Sequence, residues 1–192
     1  MEIRMKNPVL TLIVSLAMLI CSAANVFAEL QADTPLPEKQ DMFFEQLKSL
    51  CGARYEGESV FPEDPGDDWR DQLLVVVIET CNADEIRIPL AVGQDHSRTW
   101  VLKKTNDGLQ LKHDHRHEDG TPDEVTLYGG TATSAGTGTA QSFPADAYTA
   151  DLIPDAATNE WFLSLSDDNN KMTYYLERHN KPRFKAVLYR VP

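Results

Sequence analysis

The chain has no C-x-x-C, no Gly-x-Ser-x-Gly and no apolar run of about eighteen residues or more. The first absence removes the usual zinc motif. The second removes the nucleophile turn of the α/β-hydrolases. The third leaves no segment long enough to anchor stably in a bilayer. Basic residues are also scarce: 18 Lys and Arg stand against 30 Asp and Glu, a net charge of −12. Such a surface repels DNA, RNA and anionic lipid, so no nucleic-acid partner is expected and a neutral or cationic ligand is favoured overall. After Ala53 helical periodicity is missing too, which excludes a helical bundle.

Arg4 and Lys6 precede a nearly continuous apolar run from Val9 to Ile20, and Val26-Phe27-Ala28 ends in small residues. That is the pattern of a cleavable signal peptide over residues 1–28, with cleavage after Ala28. The protein is therefore expected in the periplasm or outside the cell, without an integral membrane anchor once cleaved. A lipidated Cys21 is the competing idea, but the bulky Ile20 precedes it. Cleavage leaves two cysteines, Cys51 and Cys81, and an even count in an exported chain suggests one disulfide. A loop of about 30 residues would contribute on the order of 3.5 kcal/mol in the chain-entropy account. Two buried free thiols are the alternative.

Residues 29–40 read as a polar tether and residues 41–192 as a single domain. Asp41 or Pro37 opens a short helix in which Phe43, Leu47 and Leu50 fall at i, i+4 and i+7, and Gly52 stops it. Short β-rich runs then alternate with turn residues: 54–61, 72–81, 85–92, 98–105, 108–117, 125–128, 141–143, 160–166, 172–178 and 183–191. Asp167-Asp168-Asn169-Asn170 and Asn180-Lys181-Pro182 look like hairpin turns, and 129–140 like a small-residue loop. One short helix before some eight to ten strands predicts a mainly β fold, an antiparallel barrel, with a sandwich as the other architecture.

The most informative stretch is Leu109-Gln110-Leu111-Lys112-His113-Asp114-His115-Arg116-His117, which holds three of the five histidines at alternate positions. A strand places Leu109, Leu111, His113, His115 and His117 on one face, and the two leucines point that face inward. An Asp107-Gly108 turn pairs Leu102 with His113, Trp100 with His115 and Arg98 with His117. Arg98, Trp100, His113, His115 and His117 are then expected to line one inward site. Three chemistries compete there. A small organic ligand in the barrel mouth suits the ring-rich face, and Arg98 suits an anionic or aromatic head. A zinc-type metal would use His113 and His115, since four residues of extended chain put His113 and His117 about 13 Å apart. Asp95, His96 or Asp119 would then supply a third ligand. The bland alternative is three histidines that line a polar rim. A hydrolytic enzyme of unknown class is the third chemistry, but neighbours in Asp95-His96-Ser97 point to opposite faces and cannot relay a proton. No catalytic residues are therefore assigned.

The stretches 92–100, 111–120, Tyr128-Gly129-Gly130 and 141–146 resemble a family of uncharacterised exported bacterial proteins, over roughly residues 43 to 190. The resemblance implies export and one compact domain. Gly52-Ala53-Arg54-Tyr55-Glu56-Gly57 after a short helix is loosely similar to the first strand of calycin-type barrels, including fatty-acid-binding and nitrobindin-like ones. That likeness implies a calycin-like barrel holding a small apolar ligand or haem. His179 beside Asn180 reads as a turn residue, so no haem-ligating histidine is assigned. The expected role is a small-ligand-binding or structural protein of the envelope.

Overall fold

Helix α1 (Glu38–Ser49) carries Phe43, Phe44 and Leu47 on one face, and all three are fully buried. Of the two expected openings Pro37 is the one used, which suits a residue with no N–H to donate. The helix thus takes the last three residues of the expected tether, and one of them, Gln40, is buried. In this computed structural model the described residues are 35–62, 69, 71–133 and 136–192. The expected signal segment, its cleavage site, residues 29–34 and the acidic loop 63–68 lie outside them.

Eleven strands follow: β1 (Arg54–Phe61), β2 (Leu74–Val77), β3 (Thr80–Cys81), β4 (Glu85–Val92), β5 (Asp95–Thr105), β6 (Gly108–His115), β7 (Tyr128–Thr131), β8 (Ala140–Pro144), β9 (Asn159–Leu165), β10 (Lys171–Arg178) and β11 (Lys181–Val191). Ten of them form one antiparallel path, β7-β6-β5-β4-β2-β1-β11-β10-β9-β8, with β3 paired on β4. The fold is mainly antiparallel β, a nearly closed barrel. Its seam lies between β7 and β8, where Gly130 bridges Ala145. A side chain at Gly130 is excluded, because a Cβ would lie 1.7 Å from the Pro144 carbonyl oxygen. Period-two burial runs through the strands: Ile86, Ile88, Leu90 and Val92 on β4, and Trp161, Leu163 and Leu165 on β9, face the core.

Several elements differ from expectation for local reasons. The 72–81 run is two strands, not one. The small-residue stretch enters a strand at Gly129, whereas Val125 and Leu127 are exposed loop residues. A second helix, α2 (Ala147–Leu152), is capped by Asp146, which accepts from Thr149 N–H, and a 3₁₀ turn (Pro154–Ala156) follows it. The β10–β11 turn is His179-Asn180, both at positive φ (54° and 55°), so Pro182 falls inside β11. Cys51 and Cys81 form the disulfide, with Cα atoms 6.2 Å apart.

The barrel has two different ends. Helix α1 closes one: Gln40 Oε1 accepts from Leu109 N–H at 2.8 Å, and Lys104 Nζ reaches Asp41 and Glu45 at 2.6 and 3.0 Å. The β9–β10 turn lies at this end too, where Gln46 donates to Asn169. The other end holds the start of β5, the end of β10 and the start of β11.

Candidate functional site

The hairpin of β5 and β6 builds the first wall of the site. Its turn residues are Asn106-Asp107, not Asp107-Gly108. Gly108 lies just after them, in the first pair of the ladder with Thr105, and supplies the positive φ of 125° there. The ladder is therefore shifted by two residues from the expected one: Trp100 pairs with His113 and Arg98 with His115. A shift of two keeps every side chain on its expected face. Trp100 and His113 are buried, and both line a cavity of about 520 Å³ together with Arg98. His115 stands behind Tyr128, whose ring lines the cavity, with Nε2 3.1 Å from the Tyr128 hydroxyl. His117 does not take part. The strand ends at His115, and His117 sits in the turn closed by its N–H to the Thr121 carbonyl, half-exposed and 3.9 Å from an Asp123 oxygen.

His113 is fully committed inside the protein. Nδ1 lies 3.1 Å from the Tyr128 carbonyl and Nε2 lies 2.8 Å from the Tyr174 hydroxyl. A carbonyl only accepts, so Nδ1 carries the proton and Nε2 accepts from Tyr174. Burial holds this imidazole neutral, with its pKa lowered to about 3. Burial and the Arg98 charge also lower the pKa of His115. Burial raises the Tyr128 phenol to about 12 and lifts that of Tyr174 well above its ordinary value. With both ring nitrogens engaged, His113 has no free lone pair for an ion. Asp95 hydrogen-bonds Ser97 and Arg98, and against partial burial these hold its pKa near 2. Among the described residues no group of three His, Cys, Asp or Glu side chains could hold a metal ion. The expected pair of ligands, His113 and His115, is thus tied into hydrogen bonds with tyrosines.

Aromatic rings panel the cavity. Trp100 stacks on Tyr174 at 4.6 Å, His113 stacks on Tyr128 at 4.6 Å, and Trp161 leans on both His113 and Tyr128. Trp69 and Phe184 meet edge-on at 4.9 Å, and the Arg98 guanidinium lies 5.4 Å above the Trp69 ring. Ile153 and Ala156, from the turns after α2, cover one side.

Three strands end their inward faces alike. On β5 the order is Leu102, Trp100, Arg98. On β10 it is Met172, Tyr174, Leu176, Arg178. On β11 it is Leu188, Ala186, Phe184, then Arg183. Arg183 reaches the cavity through a bulge, because Leu176 pairs with Phe184 and Glu177 with Pro182, which leaves Arg183 as the extra residue. Arg178 donates from Nε to Asn159 Oδ1 at 2.8 Å. No Asp or Glu is among the described residues that line the cavity. Arg178, Arg183, Asn159 and the rings of β9 and β10 were not among the expected site residues. The alternation from Met172 to Arg178 carries a readable signal for Arg178, whereas the bulge that turns Arg183 inward has none. No family model, curated protein or solved structure matches the chain.

Proposed function

We propose that this protein is an exported binding protein for a small organic anion with an aromatic or apolar body. One observation carries the reading: in a chain of net charge −12, the cavity is lined by three arginines and no carboxylate among the described residues. The body of the ligand packs on Trp100, Tyr174 and Trp161, and its anionic head faces the arginine end. A volume of about 520 Å³ falls in the range of small-molecule sites. The neutral His113 acts as a brace that holds Tyr174 in place, not as a ligand group. Export is supported by the Cys51–Cys81 disulfide. The likeness of residues 52–57 to calycin-type barrels fits the same reading.

The test uses anilinonaphthalene sulfonate and its neutral counterpart phenylnaphthylamine, titrated into the folded protein. The expected result is one sulfonate site per chain, energy transfer from the cavity tryptophans, and weaker binding of the neutral compound. Filling the cavity with Leu176→Trp should abolish the signal while the melting curve stays cooperative. Failure of both compounds to bind, or binding unaltered in Leu176→Trp, overturns the reading.

A further inference from the structure

The three arginines of the cavity differ in what balances them. Arg98 is ion-paired with Asp95 and lies over Trp69, so its charge is largely compensated within the protein. Arg178 and Arg183 form no ion pair among the described residues. They are close in the fold: the two-residue turn His179-Asn180 joins their strands, with Arg178 paired to Lys181, and burial together with the Arg183 charge lowers the pKa of Arg178, against an opposing pull from Asp155. On the other side of Arg178, on β9, stands Asn159, paired with Arg178 and only 5 % exposed. Its Oδ1 accepts from Arg178 Nε, which fixes the amide so that the other end is Nδ2. Nothing among the described residues accepts from that Nδ2, although the residue is buried and lines the cavity. Arg178 uses Nε on Asn159, and its two terminal nitrogens make no hydrogen bond among the described residues. The cluster is thus made of donors alone, carries two positive charges without an ion pair among the described residues, and sits where three inward faces run out of apolar residues.

Resting on the reading above, we propose that the head group is a dianionic tetrahedral oxyanion, a phosphate monoester of an aromatic alcohol, held by Arg178, Arg183 and Asn159 Nδ2. Planar guanidinium forks match phosphate oxygens two at a time, and a phosphate monoester carries close to two negative charges at neutral pH. A sulfonate or carboxylate offers one charge and leaves one guanidinium unmatched. The bulge at Arg183 is the structural device for this: it turns inward a residue that strict alternation would place outside. The aromatic body follows from the rings that panel the cavity behind the cluster.

The experiment compares naphthyl phosphate with naphthalene sulfonate by calorimetry at about pH 8, where the phosphate is dianionic. The wild type is expected to bind the phosphate about 10-fold or more tightly than the sulfonate. Arg178→Gln and Arg183→Gln should each weaken the phosphate roughly 10- to 100-fold and the sulfonate much less. Asn159→Asp keeps an acceptor for Arg178 but replaces the free donor with a carboxylate, so it should lose the phosphate more completely than either arginine variant. Thermal melts of all three variants show whether each is folded, and Arg183→Gln, at an exposed position, is the one least exposed to a folding defect. Equal affinity for the two compounds in the wild type, or arginine variants that weaken both compounds alike, overturns the head-group assignment and leaves the cavity reading standing. Failure of both compounds to bind overturns the cavity reading, and the head group with it.

Discussion

The protonation of His113 has consequences for stability that the residue alone decides. The folded protein holds the ring neutral down to a pKa of about 3, whereas an exposed histidine titrates near 6.5. Below pH 6.5 the unfolded chain binds a proton that the folded chain refuses. The stabilising difference is therefore fully present above that pH and is lost as pH falls from about 6.5 towards 3, at up to about 1.4 kcal/mol per pH unit. Urea unfolding between about pH 7 and 4.5 should show this slope, and His113→Gln, which keeps a donor and an acceptor, should flatten it. Nitrogen-resolved NMR of the ring should show the proton on Nδ1 and no titration across that range. A ring that protonates near its ordinary value contradicts the burial account. Which histidines matter could be read only in part from sequence. The two leucines before His113 gave its face correctly, because face depends on parity alone. His117 was beyond reach of that rule: the chain leaves the strand after His115 and turns at Gly120, which adopts a positive φ of 83°.

At the scale of elements, α1 is held to the barrel by one buried polar side chain as well as by its apolar face. Gln40 accepts from the Leu109 N–H and donates towards the carbonyls of Ala132 and Thr133, at 3.2 and 3.3 Å. Gln40→Ala leaves the buried Leu109 donor unmatched and should cost about 1–3 kcal/mol in denaturant unfolding. Leu47→Ala, on the same helix, should cost about 2–5 kcal/mol through the cavity it leaves. A Gln40 variant within experimental error of the wild type would mean that water replaces the amide. Strand existence was legible because turn residues punctuate alternating apolar runs: β1 and β4 have the expected bounds, and the last three strands lie within two residues of theirs. Registers were less so. Asp-Gly is a strong signal for the two central residues of a primed turn, yet Asn106-Asp107 form this one and Gly108 follows it, so the ladder moved by two. Helix α2 escaped notice because six residues carry too little periodicity, and its capping by Asp146 depends on the chain around it. The bulge at Arg183 is likewise a property of the β10–β11 pair and not of either strand's own pattern.

For the whole molecule the important fact is that the two ends of the barrel are built differently. Helix α1, its ion pairs to Lys104 and the Cys51–Cys81 disulfide belong to one end. The rings and arginines of the cavity belong to the other. Between them lies the shared core of fully buried residues such as Tyr55, Ile88 and Leu163. Cross-linking residues 30 apart restricts mainly the unfolded chain, by about 3.5 kcal/mol in the chain-entropy account. A constraint on the unfolded state changes how much protein is folded, not the shape of the folded site. The paired variant Cys51→Ser with Cys81→Ser should therefore unfold at clearly lower denaturant, by roughly that free energy. Under conditions where it is still folded, its affinity for anilinonaphthalene sulfonate should stay within about twofold of the wild type, a change well under 1 kcal/mol. The two measurements separate the ends. A variant that loses stability and affinity together, while still fully folded by circular dichroism, would show that the helix end sets the geometry of the cavity through the core, and the barrel would then have to be treated as one cooperative site. A variant that loses neither would mean that the unfolded chain is already compact enough for the cross-link to restrict little.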